Sequence, residues 1–181
     1  DGASVKDLAD EAQVNVSLVS YYFGGKEGLY QECLGEFGRD RLNVAERVLL
    51  PAESVEEFRF RLEQYAEEFL LAHLEEPDVT QLLHRECTMD RKIAKNVFQE
   101  IFIKAFQRVE NFFEEAQNRH FIRKEINCQS AAGFLFGILI HLVRTENIQK
   151  EFFDQSISNA LYRKKVIKDL VLVLTKGVQS S

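Results

Sequence analysis

Three groups of residues have types and spacings that could do chemistry. The first lies in residues 16–23, Val-Ser-Leu-Val-Ser-Tyr-Tyr-Phe. There Leu18, Val19 and Phe23 suit a core, which leaves Val16, Ser17, Ser20 and Tyr21 to reach a partner. Serine hydroxyls hydrogen-bond base edges without strong preference, and valine meets the methyl group of thymine. None of these is the arginine or asparagine whose bidentate geometry would name a base. The second group is His84 and Cys87, spaced i and i+3 with Glu86 between them, a spacing that suits a metal. No second pair at ligand spacing follows, and His73, His120 and His141 are far away in sequence. No metal is therefore expected; these residues read as the polar end of a core helix. The third group is the adjacent carboxylates Glu67-Glu68 and Glu114-Glu115, which on a helix point in different directions and read as solvated faces. There is no glycine-rich phosphate loop after a strand, no GxSxG and no HExxH. Neither a catalytic residue, nor an enzyme, nor a cofactor is expected.

The elements that must position the first group lie in residues 4–34. Ser4 with Asp7 is a loose capping box, which satisfies free amides at a helix start. Val5, Leu8, Ala9 and Ala12 then share one face at helical spacing. Residues 13–15 form a turn, with Val14 as its apolar plug and Asn15 as an N-cap. Two short helices across such a turn make a helix-turn-helix, whose second helix would enter the major groove.

Residues 12–30, Ala-Gln-Val-Asn-Val-Ser-Leu-Val-Ser-Tyr-Tyr-Phe-Gly-Gly-Lys-Glu-Gly-Leu-Tyr, resemble the helix-turn-helix of the TetR family of bacterial transcriptional regulators. Ala12, Val14, Asn15, Tyr22, Phe23, Lys26, Glu27, Leu29 and Tyr30 carry the likeness. It covers roughly the first quarter of the chain in motif and the rest in layout. The resemblance implies that Tyr22 and Lys26 contact phosphate and that Ser4 offers a hydroxyl or amide at a helix start. Lys26 supports this physically, since a cation in a helix's first turn opposes the dipole unless an anion meets it. Two positions depart from the family pattern. Gln13 stands where glycine is usual, so a residue with a Cβ is expected at positive φ; Gly25 stands where a serine-like cap is common. The family's domain has one helix more before this point, and the sequence opens without Met, so an N-terminal segment is expected to be missing.

Composition is consistent with an all-α class. The 181 residues are 45% hydrophobic, with fifteen Phe and only two Pro, and period-two alternation is scarce. No run of eighteen apolar residues suggests a membrane span, and 131–143 is too short for one. Cys33, Cys87 and Cys128, scattered and odd in number, read as reduced thiols of a cytoplasmic protein. The net charge is −6, and residues 1–47 hold five Lys/Arg against nine Asp/Glu. That balance argues against charge-driven nucleic-acid binding. Residues 13–26, however, contain no acid at all.

The rest of the chain reads as helices: a long one over 26–48 broken at Pro51, one launched by a second capping box at Ser54 and Glu57 and ended by Glu75-Glu76-Pro77, and a short one through Leu82, Leu83 and Cys87 that Asp78 and Gln81 could cap. A long amphipathic run from Ile93 to Ala116 follows, then a polar connection. Residues 130–143 are apolar almost all round and are expected at the centre. Residues 151–159 read as an irregular link and 165–176 as the last helix. The expected division is a DNA-binding domain over 1–47 and a helical effector-binding and dimerisation domain over 48–181. The resemblance implies an effector pocket inside the helical domain; carried over by layout, Tyr65, Phe69, His84, Phe102, Phe106 and His141 would line it for a flat or greasy small molecule, the alternative being a close-packed Phe-rich core with no ligand. Gly133 and Gly137 would let helices approach closely, and the resemblance implies a homodimer that binds a palindromic double-stranded operator as a ligand-responsive repressor. The competing reading is a helical interaction or scaffold module whose helix-turn-helix no longer binds DNA.

Overall fold

The computed structural model describes residues 3–89 and 95–177, and those residues are helices joined by short connections, with no strand among them. The helices are α1 (Val5–Glu11), α2 (Val16–Phe23), α3 (Lys26–Val48), α4 (Val55–Glu75), α5 (Pro77–Met89), α6 (Lys95–Val97), α7 (Ile103–Asn118), α8 (Cys128–Arg144), α9 (Glu146–Phe153) and α10 (Ala160–Lys176). A π-helical turn, Phe98–Phe102, joins α6 to α7.

Among the described residues two cores stand out. The larger gathers Leu62, Ala66 and Leu70 of α4, Val109 and Phe112 of α7, Leu135 and Leu139 of α8, and Ile167 and Val171 of α10. The smaller centres on Leu34 and Phe37 of α3 with Leu83 of α5, flanked by Tyr30, Val79, Leu82, Val97 and Phe102. Helix α3 links the two, because its Ala45 and Val48 belong to the larger core. Gly38 lets the π turn lie directly on α3: a Cβ there would come within 2.9 Å of Ile101 Cγ2 and 3.0 Å of Phe102 Cζ.

Local chemistry explains where the helices start. The Ser4 hydroxyl accepts from the Asp7 amide at 3.2 Å while Asp7 Oδ2 accepts from the Ser4 amide at 2.7 Å, a complete capping box. At α4 only half a box forms. Ser54 Oγ accepts from the Glu57 amide, but the Glu57 carboxylate reaches the Glu53 amide at 2.8 Å instead. Helix α5 opens on Pro77, a position where the missing N–H costs nothing, so Asp78 lies inside it.

Several expectations need correction. Residues 151–159 are not all link, since α9 runs to Phe153 and stops where Asp154 takes φ 53°. The last helix starts at Ala160, because Asn159 Oδ1 caps it through the amides of Leu161 and Tyr162. The run expected from Ile93 to Ala116 is interrupted by the π turn, and Asp90 and Ile93 lie outside the described residues. Helix α8 is not enclosed. Ala131, Ala132, Leu135, Leu139 and Leu142 are buried, whereas Gly133, Phe134, Gly137, Ile138 and His141 face outward. In the N-terminal unit Val19 is buried, but Val14 in the turn and Leu18 and Phe23 of α2 are exposed, because α2 turns only one side toward α1 and α3.

Candidate nucleic-acid interface

The turn between α1 and α2 is closed by backbone bonds from the Gln13 amide to Asp10 O (3.1 Å) and from the Val14 amide to Ala9 O (2.9 Å). Those bonds require a left-handed residue, and Gln13 has φ 55°. A Cβ there costs about 1 kcal/mol relative to glycine. Asn15 starts α2: its Oδ1 accepts from both the amide and the hydroxyl of Ser17, each at 2.9 Å. Gly24 (φ 69°) ends α2 and Gly25 (φ 121°) precedes α3 without a side-chain cap. The reversal is so tight that a Cβ on Gly28 would lie 1.7 Å from the Phe23 carbonyl oxygen.

This geometry places Val16, Ser17, Ser20 and Tyr21 together on the exposed side of α2. Val16 with Ser20, and Ser17 with Tyr21, are neighbours one turn apart. Tyr21 and Tyr22 are 80% and 71% exposed and meet edge to face at 5.0 Å. Such rings, each with a hydroxyl tip, are suited to a sugar-phosphate surface. The hydroxyl proton of Ser17 is engaged by Asn15, so Ser17 meets a partner chiefly as an acceptor.

Lys26 is exposed, and its ammonium donates to the Ala3 carbonyl at 2.6 Å. It therefore stands beside Ser4, and these two candidate phosphate contacts, 22 residues apart, share one edge. Asp7 lies there too. Its carboxyl is held below the usual carboxylate range by the Ser4 amide and hydroxyl and by Lys26. An anion at this edge would meet the Lys26 ammonium and the Ser4 hydroxyl, because the Ser4 amide is already taken. Sequence reasoning missed that competition, although the capping box implied it.

The residues expected to line a pocket do not converge. Tyr65, Phe69 and Phe106 gather around Phe136, with ring centroids at 6.3, 5.9 and 5.6 Å from it. These rings form an aromatic cluster. The crevice that Tyr65 and Phe69 line with Arg41, Val44, Glu68 and Ala72 holds about 10 Å³. Phe102 turns toward the smaller core because it belongs to the π turn. His84 is half-buried, and burial and then Arg144 push its pKa down. His141 is exposed on α8 and joins none of them. The Cys87 side chain lies outside the described residues, among which no cluster of three metal-ligating side chains occurs.

Among the buried polar residues that escaped the sequence reading are His73 and Arg41. His73 stacks on Phe69 at 4.1 Å and its Nδ1 lies 2.7 Å from the Phe69 carbonyl. Only a ring N–H meets a carbonyl that way, so Nδ1 carries the proton. Arg41 lies over the Phe37 ring at 3.7 Å and donates to Ala72 O and Glu76 Oε1. Both were legible as polar residues on apolar stripes, His73 four after Phe69 and Arg41 four after Phe37.

Comparison with known proteins bears on this geometry. Residues 1–33 match the sequence profile of "Bacterial regulatory proteins, tetR family". The N-terminal unit is similar to the TetR family. A relative of this chain is the "Probable HTH-type transcriptional regulator YttP" of Bacillus subtilis (strain 168), 27% identical over 120 residues. That match covers 65% of this chain and 56% of YttP, so the chain spans little more than half the length of the relative it matches. Among solved structures, the TetR family transcriptional regulator PfmR from Thermus thermophilus superimposes with a TM-score of 0.72 at 15% identity. The match covers 99% of this chain and 88% of PfmR. FadR from Bacillus subtilis, in complex with stearoyl-CoA, gives 0.71 at 15% identity over 98% of this chain and 89% of FadR. At such identities the likeness shows the fold: a TetR-type helix-turn-helix followed by a larger helical body. YttP and these two neighbours are regulators of transcription by name, not enzymes.

Proposed function

We propose that this protein is a transcriptional regulator that binds a palindromic DNA operator as a homodimer. The observation that carries the reading is the exposed, acid-free side of α2, with Val16, Ser17, Ser20 and Tyr21 toward base edges. Tyr22, Lys26 and Ser4 flank it toward phosphates. Residues 1–47 serve as the DNA-binding domain and 48–181 as the body, in a cytoplasmic protein.

The second copy docks on the outward faces of α8 and α10. Phe134 and Ile138 are exposed on α8, and Leu161, Leu172 and Val173 on α10. On α8, Gly133 and Gly137 have open space where a Cβ would stand. Such a surface invites close helix packing, and two-fold symmetry would set two recognition helices about one DNA turn apart.

A small apolar effector inside the body would make the protein a ligand-responsive repressor; FadR was solved with stearoyl-CoA, which supports that class. The aromatic cluster around Phe136 would have to open to admit it, and opening would bias the position of α3, and so the spacing of the recognition helices.

Selection of bound sites from random duplex DNA tests the reading. A palindromic consensus, weakened by salt and lost in Tyr22→Ala/Lys26→Ala, is the expected result. The excess of acid over base in residues 1–47 favours one competing reading, a scaffold module. A folded dimer that enriches no site would establish it.

A further inference from the structure

Between the N-terminal unit and the body lies a cleft of about 450 Å³, walled by Ala3, Leu8, Leu29, Tyr30, Cys33 and Leu82, with Lys26, Glu27, Arg85 and Glu86 as its charged residues. That volume lies within the range of small-molecule sites. It is separate from the aromatic cluster of the body and from the exposed face of α2.

Glu86 is the unusual member. It is only 6% exposed. Its Oε1 accepts the Tyr30 hydroxyl at 2.8 Å, joining α5 to α3, while Oε2 is buried without a hydrogen-bond partner. An unpaired buried carboxylate oxygen costs more than its partner's bond returns. Among the cleft residues it is the one buried side-chain atom left unpartnered, and it is an acceptor. Glu86 is one of the residues that line the cleft, so this unpartnered acceptor belongs to its wall. The Lys26 ammonium, by contrast, is already bonded to Ala3 O.

We infer that this cleft binds a small organic cation, an amine with an apolar body, whose ammonium bonds to Glu86 while its body lies against Leu8, Leu29 and Leu82. Such a molecule touches α1 and α3 on one side and α5 on the other. It therefore holds the N-terminal unit at one angle to the body. The consequence for operator affinity rests on the DNA-binding reading above; the binding itself does not.

The test uses phenethylamine as probe, with phenylacetate and 2-phenylethanol as controls, by calorimetry on the protein without DNA. The amine is expected to bind saturably at one site per chain, roughly ten-fold or more tighter than to Glu86→Gln. It is also expected to shield Cys33 from a maleimide, read by peptide mass. No saturable binding, equal binding to Glu86→Gln, equal binding of phenylacetate or an unshielded Cys33 would each overturn the inference. Should Glu86→Gln fail to fold, Leu8→Trp fills the cleft from α1 and must abolish binding. Operator affinity with and without the amine is a separate arm, whose failure leaves the site intact and removes only its coupling to DNA.

Discussion

At the scale of single residues, His73 makes the most direct prediction. Burial lowers its pKa to about 4 from an ordinary 6.5, so the folded protein keeps the ring neutral where the unfolded chain would protonate it. Between those values the unfolded state binds more protons. Stability from this group is therefore complete above pH 6.5 and lost as pH falls toward 4. The shift corresponds to about 3 kcal/mol at most. Urea denaturation of wild type and His73→Leu across pH 4 to 7 should show a steeper acid loss in the wild type, and parallel curves would refute it. Lys26 makes the second prediction. Replacing it by alanine should weaken DNA binding for every sequence alike and reduce the salt slope by about 1. A change in preferred sequence without a change in slope would place Lys26 at a base instead.

At the scale of elements, the two turns of the N-terminal unit carry opposite expectations. Gln13 occupies a left-handed position that glycine would hold more easily, so Gln13→Gly should raise stability by about 1 kcal/mol in thermal or urea unfolding. Gly28 has no such latitude. A methyl group there overlaps the Phe23 carbonyl, which is backbone and cannot move aside. Gly28→Ala should cost about 3 kcal/mol. Hydrogen exchange should show that loss concentrated in α2 and the start of α3, with α4, α7, α8 and α10 still protected. Uniform loss of protection would mean that the N-terminal unit and the body unfold as one.

For the whole molecule, the outward face of α8 and α10 decides between a monomer and an assembly. Phe134 is 64% exposed and Leu161 is 82% exposed in the single chain. Such surface is costly in water unless a partner covers it. Phe134→Glu with Leu172→Glu should leave helix content unchanged by circular dichroism yet shift sedimentation from dimer to monomer. Operator binding should fall with it, since a single recognition helix reads only half a palindrome. A wild-type monomer at micromolar concentration would reject the proposed interface. The net charge of −6 sharpens the whole-molecule expectation: attraction to DNA must come locally from the acid-free side of α2.

Much of this was legible in the sequence, and for local reasons. The caps at Ser4, Asn15 and Ser54, the left-handed Gln13 and the exposed side of α2 follow from interactions within a few residues. For the same reason the helix-turn-helix and its candidate contacts were readable in advance. Periodicity likewise showed which face of α4 or α7 is apolar, but a face does not name its neighbour. Only tertiary packing placed Lys26 beside Ser4, turned Phe102 away from Phe106 through a π turn, left His141 outside and closed the aromatic cluster around Phe136. It alone left half of α8 uncovered, and it alone set Tyr30 against Glu86 across 56 residues, two residues of the cleft's lining. Local bonds are written in neighbouring residues; contacts between distant helices depend on how every side chain fills the space the others leave.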